Sequence, residues 1–258
     1  MSDSTFIQLR QQRNFGDLLS ATVAYVRVHF RHLFKAVLFV CGPVVVLGGA
    51  IMGTSIGTLI GTTIDRAEPP FTTFIPIFGG VLVILFAAVL MGAVVNEYVI
   101  LSVDRERPVE VSEVWEAIRR DIWIIIPTYI GNYVIIVVGY VLLIIPGIWA
   151  ANVFQIMITV RLQERIGFGE ALSRCVELMR GRWWFTFGYV YVVSMVAGMI
   201  SYAFILPAYF TLFAGAFTES LRNPLMIVAI AVCGLIALLG QFMVSSLPQA
   251  AIAIHYYN

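Results

Sequence analysis

The chain has 258 residues, 60% of them hydrophobic and only 12% charged, where a soluble domain carries about 25% charged residues. With a mean hydropathy of +0.92, this excludes an ordinary water-soluble globule, a disordered chain and a soluble nucleic-acid binder. It fits an integral membrane protein with several spans. The net charge of +1 gives no global field to steer a partner.

The polar N-terminus, MSDSTFIQLRQQRNFGD, lacks a basic stretch followed by a short apolar one, so no cleaved signal peptide is expected. Six hydrophobic runs follow: Leu33–Ile60, Phe74–Val103, Ile122–Ile145, Ile148–Val160, Trp183–Leu206 and Leu225–Ile254. A helix needs about 20 apolar residues to cross the hydrocarbon core. The fourth run is short unless Pro146-Gly147 lies at the membrane edge. The nearly apolar LLIIPGIW before it predicts a tight hairpin with the third. Ala208–Thr218 is apolar over about half a span's length and reads as a surface or re-entrant segment.

Loop charges predict the orientation. With the N-terminus inside, the inner segments hold Arg10, Arg13, Arg27, Arg31 and Lys35, then Arg105, Arg107, Arg119 and Arg120, then Arg161, Arg165, Arg174, Arg180 and Arg182. The outer segments hold Arg66 and Arg222. Both termini are therefore expected in the cytoplasm, in agreement with an even number of spans.

An internal repeat organises the chain. FGDLLSATVAYVRVHF, from Phe15, aligns without gaps with FGEALSRCVELMRGRW, from Phe168. VSEVWEAIRRDIW, from Val111, is a weaker copy. Each has helical period: Phe15, Leu18, Leu19, Val23, Val26 and Phe30 share one face of the first, with Arg27, Arg31 and Lys35 on the other. The expectation is a single membrane domain, 1–258. It is all-α, with six transmembrane helices in three parallel repeats (1–103, 104–162 and 163–258). Each repeat is an interfacial amphipathic helix plus a two-span hairpin.

The stretch LLIIPGIWAANVFQIMITVRLQERIGFGEALSRCVELMRGRWW runs from an Ile-Pro-Gly turn, through a span, to an Ala-Leu-Ser helix and a Gly-Arg-Trp junction. It resembles the membrane domain attached to some glycerophosphodiester phosphodiesterases and related stand-alone bacterial membrane proteins. In such fusions the chemistry belongs to a separate barrel of about 250 residues, and none is present in this chain. The resemblance implies a non-catalytic module of the bacterial inner membrane.

Several constellations carry candidate chemistry. Gly49, Gly53, Gly57 and Gly61 recur every fourth residue, a small-residue face that lets helices approach closely. GTSIG, Gly53–Gly57, mimics a nucleophile elbow. A serine hydrolase would need a histidine near Ser55, yet His29, His32 and His255 all fall on the predicted cytoplasmic side. His29 and His32 lack the further ligands of a metal site. Cys41, Cys175 and Cys233 have no CxxC spacing. Asn96, Glu97, Asn152 and Gln155 are polar residues within spans. They read as helix-joining amides, with Glu97 snorkelling or pairing with Arg161, or as the lining of a polar cavity.

The leading expectation is a non-enzymatic module with no cofactor, binding phospholipid headgroups or a partner protein at the cytoplasmic face. Arg27, Arg31, Arg120, Arg174, Arg180 and Arg182 would make the contact. A small transporter or channel lined by the polar set is the alternative, and an intramembrane enzyme the third reading. Expected partners are membrane lipids, a second copy or another membrane protein, and not nucleic acid.

Overall fold

The computed structural model describes residues 13–65, 67–103, 105, 107–218 and 223–258. Arg10, Arg66 and Arg222, used above for orientation, and the polar N-terminal segment through residue 12 lie outside the described residues. The described chain is helical, and six helices are long and apolar enough to cross a membrane. The described α-helices in order are α1 (Phe15–Ile64), α2 (Phe74–Ser102), α3 (Val111–Leu142), α4 (Ile144–Phe154), α5 (Met157–Glu164), α6 (Phe168–Met179), α7 (Trp183–Phe217) and α8 (Pro224–Tyr256). The fourth spanning segment is α4 and α5 together, Ile144–Glu164.

Three expectations are corrected. First, two of the three amphipathic segments are not separate helices. The stretch from Phe15 is the beginning of the 50-residue α1, and the stretch from Val111 is the beginning of α3. Neither carries a breaker where the interfacial part was expected to end. Only the third copy is separate, as α6. There Arg180 turns extended and Gly181 takes φ 76°, a left-handed conformation that glycine adopts without Cβ strain. Second, α7 continues through Pro207 to Phe217, so Ala208–Phe217 is the end of a span. Third, the buried stripe at the start of α1 is Leu18, Thr22, Tyr25 and Leu33, while Val23 and Phe30 are exposed. In a bilayer an exposed apolar side chain meets lipid, so the apolar face packs at Leu18 and turns to lipid at Val23 and Phe30.

The chain divides into two compact units. One comprises Leu38–Met91 and Ala197–Ser245. Close packing here is at Gly48 and Gly80: a methyl on either would meet the other's backbone carbonyl and the side chains of Ile84 or Met52. The predicted glycine face does not supply it. Of Gly49, Gly53, Gly57 and Gly61, only Gly49 meets a neighbour, Leu238; the others face open space. Gly48 precedes that face by one residue, about 100° around a helix with 3.6 residues per turn, so the true contact lies on an adjacent strip.

The other unit holds the described residues of Met1–Val37, with Gly92–Val196 and Ser246–Asn258. Within it, α3 and α4 form the expected hairpin. Leu143 is extended, and Gly139 and Gly147 are close enough that a methyl on Gly139 would meet the Gly147 backbone. Pro146 sits in the first turn of α4, where a missing N–H costs nothing. The α4–α5 segment is the best-buried span: 56% of its most apolar window is buried, against 33% or less in the others.

Candidate functional site

One group of buried polar contacts in this unit gathers around α4–α5. The helix is interrupted at Gln155 and Ile156, and an interrupted span must satisfy its freed backbone groups from neighbours. Asn132 of α3 does so, donating through Nδ2 to the Phe154 carbonyl at 3.3 Å. Asn152 donates to the Trp183 carbonyl at the head of α7 at 3.2 Å, and Gln155 donates to Asn152 Oδ1 at 3.0 Å. Asn132 Oδ1 and Trp183 Nε1 are buried without a partner.

A second polar set lies further along. Thr159 of α5 donates to Asn96 Oδ1 at 2.5 Å, and Asn96 donates to the Gly92 carbonyl at 2.8 Å. Three of the four residues proposed to line one cavity thus fall into two hydrogen-bonded sets, Asn96 with Thr159 and Asn152 with Gln155. Glu97 is only 2% exposed, and its Oε1 accepts no hydrogen bond. It does not pair with Arg161. That guanidinium donates to Thr128 Oγ1 at 2.6 Å and reaches the Ile124 and Ile166 carbonyls. It also stands 5.8 Å over the Phe168 ring, within cation–π range.

Sequence reading missed the strongest ion pair. Asp121 of α3 is buried and is gripped by two guanidiniums, Arg165 through both terminal nitrogens and Arg120 through Nε and a terminal nitrogen. Arg165 is the left-handed residue, φ 55°, that turns the chain from α5 into α6. Its hydrogen bonds to Asp121 hold its pKa above the ordinary arginine value. The αL turn and the fork geometry together fix where α6 begins.

α6 borders an open groove of about 980 Å³, at the top of the range of ligand sites. Ile135, Phe154, Ile166, Leu172 and Val176 supply its apolar surface; Glu170, Arg174, Glu177 and Arg180 supply its charges. These charges are not equally available. Glu170 accepts from the Gly167 N–H at 3.2 Å, capping α6 as Glu113 caps α3. Arg174 is paired with Glu177 at 2.8 Å and with Glu164 at 3.3 Å, and both carboxylates raise its pKa. The Arg180 guanidinium is exposed and makes no hydrogen bond or ion pair with any described residue.

The six arginines expected to face headgroups do not share one environment. Arg27, Arg31, Arg180 and Arg182 are exposed. Arg120 is committed to Asp121, and Arg174 to its two glutamates. Cys175 is buried behind α6, and burial pushes its thiol up to about 12, which leaves no reactive thiolate. Comparison with known protein families, characterised proteins and solved structures gives no match.

Proposed function

We propose that this multi-pass protein is a non-enzymatic membrane module that binds phospholipid headgroups beside α6. The observation that supports the reading is the groove itself, an apolar surface bordered by an uncommitted arginine. That is the pairing an amphiphile with a chain and a phosphate requires. The charge asymmetry of the loops supports an orientation with both termini in the cytoplasm, and the resemblance given above supports the bacterial inner membrane. The sequence repeat supports a three-unit architecture in which two of the amphipathic segments are fused to their spans. The test is native mass spectrometry of the protein released from mild detergent. Retained phospholipid, lost in an Arg180→Ala/Arg182→Ala double variant, is the expected result. Unchanged retention in that variant overturns the reading.

One observation favours transport as a second reading: the interrupted α4–α5 span, with unpartnered polar atoms on Asn132 and Trp183 and on Glu97 in neighbouring α2. Discontinuous spans with buried polar groups form the binding sites of many transporters. Under this reading Glu97→Gln abolishes solute flux in proteoliposomes while yield and oligomeric state are unchanged.

A further inference from the structure

The charges along the groove specify more than a phosphate. Arg180 ends α6, its backbone N–H donating to the Glu177 carbonyl at 3.1 Å, so the two residues stand one turn apart. Both border the groove. Arg180 has a free guanidinium. Glu177 spends one oxygen, Oε2, on Arg174, and its other oxygen accepts nothing from any described residue. The groove therefore offers a free cationic fork and a free carboxylate oxygen one turn apart.

The balance of charge around them decides which headgroup fits. The groove is lined by Glu170 and Glu177 against Arg174 and Arg180, and Arg174 is already spent on Glu164 and Glu177. A headgroup carrying only negative charge meets one available cation beside a free carboxylate oxygen. A zwitterionic headgroup meets a partner for each of its charges. We infer that the groove selects a bilayer phospholipid bearing a phosphate and a primary ammonium, with the phosphate on Arg180, the ammonium on Glu177, and one acyl chain along Ile135, Phe154 and Leu172. The inference rests on the headgroup-binding reading above and names its ligand class.

The carboxylate also distinguishes two zwitterions. A primary ammonium has hydrogen-bond donors for Glu177, whereas a quaternary ammonium has none, and charge-assisted hydrogen bonds are about twice as strong as neutral ones. An ethanolamine-type headgroup, whose two charges are separated by two methylenes, spans one helical turn and satisfies both residues. A choline-type headgroup pairs with the arginine and meets the glutamate by charge alone, without a hydrogen bond, and a glycerol-type headgroup meets the arginine with its phosphate and the glutamate with nothing ionic.

The test titrates delipidated full-length protein in detergent with three synthetic phospholipids of identical tails. Their headgroups are phosphoethanolamine, phosphocholine and phosphoglycerol, and bound lipid is counted by native mass spectrometry. The expected order places phosphoethanolamine roughly tenfold tighter than phosphocholine, as about 1.4 kcal/mol would give. Glu177→Gln removes that preference while retaining binding of all three, and Arg180→Ala weakens all three together. Thermal unfolding of each variant checks that it is folded. If phosphoglycerol binds best and depends on Arg180, the ammonium inference fails and headgroup binding survives. If no lipid binds in an Arg180-dependent way, both fail. Retention of the preference in folded Glu177→Gln overturns the role of the carboxylate.

Discussion

The stretches beginning at Phe15 and Phe168 share Phe, Gly, an acid, Leu and Ser at matching positions of their first turns, yet one opens a 50-residue helix and the other forms a separate helix of 12. The difference lies at one position. In the alignment Gly181 stands opposite Val28. Val28 continues α1, whereas Gly181 takes a left-handed conformation and lets α7 start anew. The two stretches also dock differently. Phe15 stacks edge-on against Phe185 and Tyr189 and leaves ordinary space at Gly188. Phe168 presses into α3 at Gly131, where any side chain would run into its ring. Similar periodicity thus leads to different structures, and the breaker and the socket decide between them.

The largest expected effect comes from removing the anchor that only the α6 copy possesses. Asp121→Asn strips Arg165 and Arg120 of their shared carboxylate. Loss of one partner of a buried pair costs roughly 3–5 kcal/mol. Here both guanidiniums are about half exposed, which lowers the expected loss to about 2 kcal/mol. Chemical or thermal unfolding in detergent reads it, and an unchanged midpoint would remove the anchor from the account.

The paired glycine sockets come next. Gly131→Ala forces the Phe168 ring out and costs about 1–3 kcal/mol as overpacking, while Gly188→Ala stays within about 0.5 kcal/mol. Equal effects of the two alanines would show that the docking of the two phenylalanines is the same after all. The third effect is at the junction. A methyl on Gly181 meets no atom, so Gly181→Ala probes conformation alone, at about 1–2 kcal/mol. Cysteine cross-linking between α6 and α7 should then show the loosened junction. The smallest is the reciprocal change, Val28→Gly, at up to about 1 kcal/mol; it should soften α1 without creating a separate helix, since nothing downstream caps a new one.

Much of the architecture was readable because lipid imposes one rule on every span: long apolar runs. The six spans and the Pro146-Gly147 hairpin follow from local composition. What local composition cannot encode is which face of a helix packs. Gly49, Gly53, Gly57 and Gly61 form the more regular pattern, yet Gly48 and Gly80 make the close contact, because the approach of two helices depends on both surfaces at once. The same holds for the polar site. Asn96 finds Thr159 across 63 residues and Asp121 finds Arg165 across 44. Asp121 looked like the end of an interfacial helix, so its burial carried no signal in the sequence. Of the groove at α6, the sequence pointed to Arg174 and Arg180; part of its apolar surface comes from Ile135 and Phe154, on helices whose runs read simply as spans.

The α4–α5 segment has the lowest mean hydropathy of the six, 1.3 where the others reach 1.9 to 2.7, and it carries Arg161 and Glu164 near its end. On an insertion scale, apolar residues gain only about 0.3–0.6 kcal/mol each, while a central arginine costs about 2.5 kcal/mol or more. Such a segment partitions weakly into lipid by itself. Its entry during synthesis depends on α3, already emerged and joined to it by the Gly139–Gly147 contact, offering Asn132 and Thr128 to its polar atoms. The most enclosed helix of the mature protein is in this sense the least self-sufficient during biogenesis. Mutations that weaken α3 should appear first as failed integration of the span that follows it, detectable by glycosylation mapping in a translation–insertion assay.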